Sequence, residues 1–168
     1  MNATAHPKLA MRPFLPTDVA LLVEIFRASI EELTSEDYSD AQRAAWAAFV
    51  DDEKAFGARM AGQLTLLGTM AGSPVGFASL KEPDQVDMLY VHPAVAGKGV
   101  GAMLIDALEK LAKARGAKRL TADVSDSAHE FFKKRGFVPQ QRNTVERSGE
   151  WLANTTMAKT LVAKEAVP

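Results

Sequence analysis

Three alternate glycines carry the chemistry that this sequence indicates. Gly97, Gly99 and Gly101 stand just before a long amphipathic segment, and Lys98 lies between the first two. Glycines let backbone N–H groups approach a ligand with no Cβ in the way. Unpaired N–H groups at a helix N-terminus favour an anion, and Lys98 adds a positive charge there. The pattern predicts a diphosphate site, although the same glycines could simply permit a tight strand-to-helix connection.

A dinucleotide site is the alternative for this loop. Residues 97–102 satisfy the fingerprint G-x-G-x-x-A, and Asp123 lies at a plausible distance downstream. That fingerprint follows its strand almost at once, whereas five residues including Pro93 separate Val91 from Gly97. It also normally opens its domain, and too few residues remain here for the further parallel strands. A nicotinamide or flavin enzyme is therefore the less favoured hypothesis.

The elements that must position the glycines alternate between strand and helix patterns. Apolar periodicity and turn residues predict strands at 8–15, 63–70, 75–81, 85–91, 119–124, 137–143 and 152–161. Helices are predicted at 17–33, 41–50, 51–62 and 100–115, and between a Ser127–Glu130 capping box and Gly136. This order indicates an α/β (α+β) fold, with a mixed, mostly antiparallel central sheet of about seven strands and helices on both faces.

Composition places the chain among ordinary globular proteins. It has 168 residues, is 47% hydrophobic and 24% charged, and carries a net charge of −1, so we expect one domain over 1–168 with loose termini at 1–7 and 162–168. The charge indicates neither nucleic-acid nor membrane partners. There is no cysteine, and three scattered histidines give no metal-ligand spacing. With no signal-peptide pattern or apolar run of spanning length, we expect a cytoplasmic, metal-free protein.

The sequence resembles the GNAT superfamily of acetyl-CoA-dependent N-acetyltransferases. The element order matches over residues 8–161, and 96–101 falls on the family motif Gln/Arg-x-x-Gly-x-Gly/Ala. A second segment is similar to the family pattern N-x-x-A-x-x-F-Y-x-x-x-G-F through Ser125, Ala128, Phe131, Phe132, Gly136 and Phe137. The runs 142–145 and 151–157 resemble the YafP-like bacterial branch.

The resemblance implies a GNAT-like fold, acetyl-CoA as cofactor with CoA as product, and an amine as acceptor. The pantetheine arm would lie between strands 85–91 and 119–124, with the Val91 N–H polarising the thioester carbonyl. The implied cofactor-binding residues are Leu89, Tyr90, Val91, Ala96, Gly97, Lys98, Gly99, Val100, Gly101, Ser125, Phe131 and Phe132.

Two positions depart from the family pattern. Ala96 replaces the usual Gln or Arg, so one side-chain contact to the diphosphate is absent and weaker binding is expected. Phe132 replaces the Tyr that usually protonates the leaving thiolate, so another group or water must do this. These departures leave a second hypothesis open, a catalytically degenerate module that binds or senses acyl-CoA.

Asp87 is the predicted catalytic base, and Tyr90 is the rival polar group on the same strand. An Asp inside an apolar central strand is costly unless it is solvated or partnered, and a carboxylate can deprotonate an amine whose pKa is near 10. Alternatively, Asp87 is satisfied by backbone or a basic side chain, and Tyr90 is a packed core aromatic. Strict alternation would place Gln85, Asp87 and Leu89 on one face, and Val86, Met88 and Tyr90 on the other.

The acceptor pocket of this family lies between the first helices and the late strands. The predicted substrate-binding residues are Tyr38, Trp46, Asn143, Trp151 and Asn154, each of which could instead be packing or surface. The acidic residues Glu31, Glu32, Glu36 and Asp37 could attract a cationic amine or form a solvated face. The sequence leaves the acceptor open between a small molecule and a peptide, and relatives suggest a homodimer.

Overall fold

The computed structural model describes residues 8–161, whose elements follow the predicted order. The strands are β1 Leu9–Pro13, β2 Leu64–Met70, β3 Ser73–Lys81, β4 Gln85–Val91, β5 Arg119–Ser125, β6 Val138–Arg147 and β7 Glu150–Thr160. The helices are α1 Val19–Leu33, α2 Asp40–Ala47, α3 Glu53–Gly62, α4 Val100–Ala114 and α5 His129–Lys134. The termini predicted to be loose, 1–7 and 162–168, lie outside the described residues. No helix within 8–161 is long and apolar enough to cross a membrane.

The seven strands form one mixed sheet, which confirms the predicted fold class. Their order is β1-β2-β3-β4-β5-β7-β6, and every neighbouring pair is antiparallel except β4 and β5. These two parallel strands pair only through Gln85 with Thr121 and Val86 with Ala122. Beyond those pairs they separate towards their carboxyl ends, so a gap opens in the middle of the sheet.

Each face of the sheet is covered by its own apolar layer. On one face α4 contributes Leu104 and Leu108 to a core that includes Leu120 of β5. On the other face Phe26 of α1 and Met60 of α3 pack in a second core with β2 and β3. Helices therefore lie on both faces, and the gap between β4 and β5 connects the two layers.

Side-chain caps mark the start of α2 and α3, whereas α1, α4 and α5 begin without one. Ser39 and Gln42 form a capping box at α2, and the Asp52 carboxylate caps α3 through the Ala55 N–H. The predicted Ser127–Glu130 capping box is wrong, because the Ser127 hydroxyl donates instead to Asp37 at 2.8 Å. Helix α5 begins at His129 without a side-chain cap.

A β-bulge in β4 overturns the strict alternation predicted for that strand. Leu80 pairs with Val86 and Ser79 pairs with Met88, so Asp87 is an extra residue with no partner among the described residues of β3. Val86 packs in the α4 core, whereas Met88 packs in the α1–α3 core. The Asp87 side chain bonds to Arg59 of α3. It therefore lies on the same face of the sheet as Met88 and Tyr90, not on the face of Leu89.

Candidate active site

The gap between β4 and β5 continues into a cleft of about 620 Å³ that the start of α4 and α5 complete. It is bounded by eleven of the twelve residues predicted to bind the cofactor: Leu89, Tyr90, Val91, Ala96, Gly97, Gly99, Val100, Gly101, Ser125, Phe131 and Phe132. Lys98, the twelfth, is exposed and does not line the cleft. The structure therefore brings together two segments that are separated by more than twenty residues of sequence.

The loop before α4 presents free backbone donors to this cleft. Gly97 and Gly99 have φ values of 76° and 90°, a left-handed conformation that favours glycine. Helix α4 begins after them, with the Met103 N–H bonded to the Gly99 carbonyl at 3.0 Å. Among residues 8–161, the amides of Gly97, Gly99, Val100 and Gly101 have no backbone acceptor. Together with the positive end of the helix dipole, these donors suit a diphosphate.

The end of β4 presents further backbone donors to the gap. The His92 N–H donates to the Val75 carbonyl at 2.8 Å, on the β3 side of the strand. Because donors alternate along an antiparallel ladder, the amides of Leu89 and Val91 point away from β3. They face the space that β5 has left, where an extended ligand can pair with them as an added strand.

A second cavity of about 270 Å³ lies on the α1–α3 side of the sheet and meets the cleft through the gap. Of the predicted acceptor residues, Tyr38, Trp46 and Asn154 line it, whereas Asn143 and Trp151 do not. Trp151 alternates with the buried Leu152 on β7 and is 60% exposed. The residues that line both cavities are Trp46, Val86, Asp87, Tyr90, Asp123 and Ser125.

The acidic stretch at the end of α1 does not contribute to either cavity. None of Glu31, Glu32, Glu36 and Asp37 lines them. Asp37 accepts the Ser127 hydroxyl, and the Tyr38 hydroxyl beside it donates to the Ala153 carbonyl at 2.6 Å and accepts the Asp126 N–H at 2.9 Å. The segment between α1 and α2 thus binds to β7 and to the end of β5, and it closes one side of the site.

Asp87 is satisfied by a basic side chain, as the alternative interpretation anticipated. Arg59 of α3 makes two hydrogen bonds to its carboxylate, at 2.8 and 2.7 Å, and Gln63 adds a third at 2.9 Å. Burial raises the pKa of Asp87, but the bonds from Arg59 and Gln63 and the charges of Arg59 and Lys81 outweigh it, so the pKa lies below its usual value. A carboxylate held in this state is a weak base.

Tyr90 is the packed aromatic that the other alternative describes. Its ring lies 4.5 Å from that of Phe26 and 5.7 Å from that of Phe77, and its hydroxyl accepts a hydrogen bond from the Trp46 indole at 3.2 Å. Burial raises its pKa to about 12. At neutral pH Tyr90 therefore stays protonated and can donate a hydrogen bond where the two cavities meet.

Phe132 occupies the position where many proteins of the GNAT superfamily have Tyr, so the cleft has no acidic hydroxyl at this position. Its ring packs edge-on against those of Phe131 and Phe137, with centroids 5.5 and 5.0 Å away. Ser125 is an alternative hydroxyl, since it lines both cavities and its oxygen accepts the Ala128 N–H at 3.2 Å. The Ser125 hydrogen remains available to a ligand.

Asp123 is a functional candidate that the sequence pattern indicated only under the dinucleotide alternative. Its side chain is exposed, lines both cavities and accepts the Thr156 hydroxyl at 2.6 Å. The Asn143 side-chain amide donates to that Thr156 oxygen and to the Asn154 side-chain oxygen. These bonds hold the Thr156 hydroxyl in the orientation in which it donates to Asp123. Alternation on β5 was the available signal, because buried Leu120, Ala122 and Val124 leave Asp123 on the opposite face.

Comparisons with known proteins agree with this architecture. The family model for the acetyltransferase (GNAT) domain matches residues 34–161. The uncharacterized N-acetyltransferase YafP of Escherichia coli is 32% identical over 149 residues, covering 89% of this chain and 94% of that protein. The peptidyl-lysine N-acetyltransferase YjaB of Salmonella typhimurium is 29% identical over 77% of this chain and 72% of its own length.

A solved structure is still more similar. A GCN5-related N-acetyltransferase from Rhodopseudomonas palustris superposes with a TM-score of 0.90 at 60% identity, covering 95% of this chain and 99% of that one. The family match spans most of the chain and includes the glycine loop, the diverging strands and the cleft between them. The chain therefore belongs to the GNAT family of acetyltransferases, and it is an acetyl-CoA-dependent acyltransferase.

Proposed function

We propose that this chain transfers an acetyl group from acetyl-CoA to a primary amine by direct attack in a ternary complex. The supporting observation is that two cavities on opposite faces of the sheet meet at the gap between β4 and β5. The donor can occupy the cleft while the acceptor occupies the smaller cavity. No covalent enzyme intermediate is needed, because the two reactants reach each other through the gap.

The glycine loop and β4 hold the donor in this proposal. The free amides of Gly97, Gly99, Val100 and Gly101 bind its diphosphate. Those of Leu89 and Val91 bind its extended arm. Acetyl-CoA supplies a thioester that is already activated. The Val91 amide, aimed into the gap, stabilises the charge that develops on the thioester oxygen.

Asp123 is the base in this proposal, directly or through one water molecule. A neutral amine is needed for attack, and holding an amine of pKa near 10 neutral at pH 7 costs about 4 kcal/mol. The Asp123 side chain takes the amine proton as the N–C bond forms and the C–S bond breaks. The thiolate that leaves takes a proton from water beside Ser125, since Phe132 has none to give.

The pH dependence of turnover distinguishes Asp123 from Asp87. We expect Asp123→Asn to lower kcat/KM roughly tenfold at pH 7, and less near the pKa of the amine, where the base is no longer needed. Asp87→Asn should lower the rate without changing the shape of the pH–rate profile, since Arg59 already holds that carboxylate. The opposite pattern, a changed profile only for Asp87→Asn, would restore Asp87 as the base.

Ala96 offers a direct test of donor binding. It is exposed and lines the cleft, so Ala96→Arg has room to place a guanidinium on the diphosphate. We expect acetyl-CoA affinity to rise about tenfold, in line with a charge-assisted hydrogen bond at a partly exposed site. Titration calorimetry measures this, with Ala94→Arg as the matched control, since Ala94 is exposed but lines neither cavity.

The hypothesis of a degenerate acyl-CoA-binding module predicts a different result. In that case acetyl-CoA would raise the melting temperature, yet a broad amine panel would give no turnover. If neither acetyl-CoA nor CoA shifts the melting temperature of the wild type or of Ala96→Arg, donor binding itself is refuted. One-site binding at 100 times the Kd stabilises by about 2.7 kcal/mol, which such a measurement detects readily.

A further inference from the structure

The smaller cavity, of about 270 Å³, is the acceptor cavity of the proposed function, and it is lined by more positive than negative side chains. Arg59, Lys81 and Arg147 line it, against the two carboxylates Asp87 and Asp123. Arg59 and Asp87 neutralise each other through their bidentate ion pair. Asp123, Lys81 and Arg147 are left, so the remaining charge of the cavity is positive. The net positive charge would repel a cationic acceptor that carries no negative group.

Arg147 is the cation best placed to bind a ligand in this cavity. It lies at the end of β6, with its guanidinium 5.8 Å from the centre of the Phe49 ring. Among residues 8–161 it has no salt bridge and no side-chain hydrogen bond. Its positive charge also reaches Tyr90: burial raises the pKa of that hydroxyl, and the charge of Arg147 acts in the opposite direction. Arg147 is thus an exposed residue of the cavity lining whose donors make no hydrogen bond within residues 8–161.

The cavity has polar as well as apolar walls. Gln85 and Asn154 are polar, and the aromatic and aliphatic side chains of Phe26, Tyr38, Trp46, Phe49, Val145 and Leu152 also line it. A volume of about 270 Å³ is small for a ligand site, and it suits a compact acceptor better than a folded partner.

We infer that the acceptor is an amino acid or similar small amine that carries a carboxylate and an apolar, preferably aromatic, side chain. This rests on the proposed function, with Arg147 binding the carboxylate and Asp123 facing the amine. A guanidinium matches a carboxylate through two parallel N–H donors. The aromatic walls take up the side chain, as in other small-molecule sites.

The test compares acceptors that differ only in the carboxylate. With saturating acetyl-CoA, we expect kcat/KM for L-phenylalanine to exceed that for phenethylamine and for L-phenylalaninamide by about tenfold or more. Arg147→Gln should remove this preference, so that kcat/KM for L-phenylalanine comes within about twofold of that for phenethylamine. Arg119→Gln is the control: Arg119 is exposed at the start of β5 and lines neither cavity. It should preserve the preference.

A binding measurement decides the same point without turnover. Calorimetry of the CoA-saturated protein should show N-acetyl-L-phenylalanine binding about tenfold more tightly than its amide, and Arg147→Gln should equalise the two. Equal binding by the wild type would overturn the inference. So would higher turnover of a lysine-containing peptide than of L-phenylalanine, although that result would support the proposed acetyl transfer. Failure of acetyl-CoA to bind would instead refute the proposed function.

Discussion

Replacing Val91 with proline is expected to lower kcat by about 10²–10³-fold, the usual cost of removing one donor to a developing oxyanion. Proline deletes the Val91 N–H, which points into the gap and takes no part in the ladder with β3. Position 91 is the last residue of β4, and the extended Tyr90 before it tolerates a following proline. The effect should thus appear in the chemical step, and KM for acetyl-CoA should change less because the Leu89 amide and the glycine loop remain.

Val91→Ala is the matched control for this variant. It keeps the amide but shortens a side chain that packs against the α4 core, so it reports the cost of lost packing alone. Steady-state kinetics and melting temperatures of both variants separate the two effects. If Val91→Pro loses no more activity than Val91→Ala, polarisation of the thioester must be assigned to another donor.

The sequence predicts those parts of the fold that depend on residues close to one another in the chain. Helix α4 has one continuous apolar stripe and ends before Gly116, whose φ of 86° needs glycine. Strand β4 was predicted with the observed limits, 85–91. The glycine loop follows from the spacing of its residues and from the family it resembles. In each case the signal lies within about fifteen residues of the feature.

The remaining details depend on partners that are distant in sequence. The bulge at Asp87 arises from the register between β3 and β4, and a single strand pattern cannot contain that information. Arg59, the partner of Asp87, lies on a separate helix 28 residues earlier. Arg147 reaches the smaller cavity because the β6–β7 hairpin packs against α2 and its end lies beside Phe49. These residues were missed because only the tertiary fold brings them together.

Loss of the Asp87 carboxylate is expected to reduce the free energy of unfolding by about 2 kcal/mol. Asp87→Ala leaves Arg59 and the Gln63 amide without their common acceptor. Breaking a buried ion pair typically costs 3–5 kcal/mol. The value here should be smaller, because the Asp87 side chain is 10% exposed but that of Arg59 is 41% exposed and partly solvated.

A surface pair provides the comparison for this measurement. Asp106 contacts Arg135 at 3.3 Å, and their side chains are 53% and 33% exposed. Asp106→Ala should cost less than about 1 kcal/mol in urea unfolding at pH 7. A double-mutant cycle between Asp87→Ala and Arg59→Gln isolates the pairwise part. Equal losses for Asp87→Ala and Asp106→Ala would show that the Asp87–Arg59 pair stabilises the fold no more than a surface pair does.

The stability contributed by Asp87 should also depend on pH in a defined direction. Its pKa in the folded chain lies below its usual value, whereas in the unfolded chain it is about 3.9. A group with a lowered pKa stabilises the fold fully above its unfolded pKa, and that stability is lost as the pH falls through the folded pKa. The difference between the wild type and Asp87→Ala should therefore be constant from about pH 5 to 8 and shrink below about pH 4. A difference that instead grew as the pH fell through about 6 would mean that the carboxylate has a raised pKa and titrates close to neutrality, as a general base would, and the assignment of that role to Asp123 would fail.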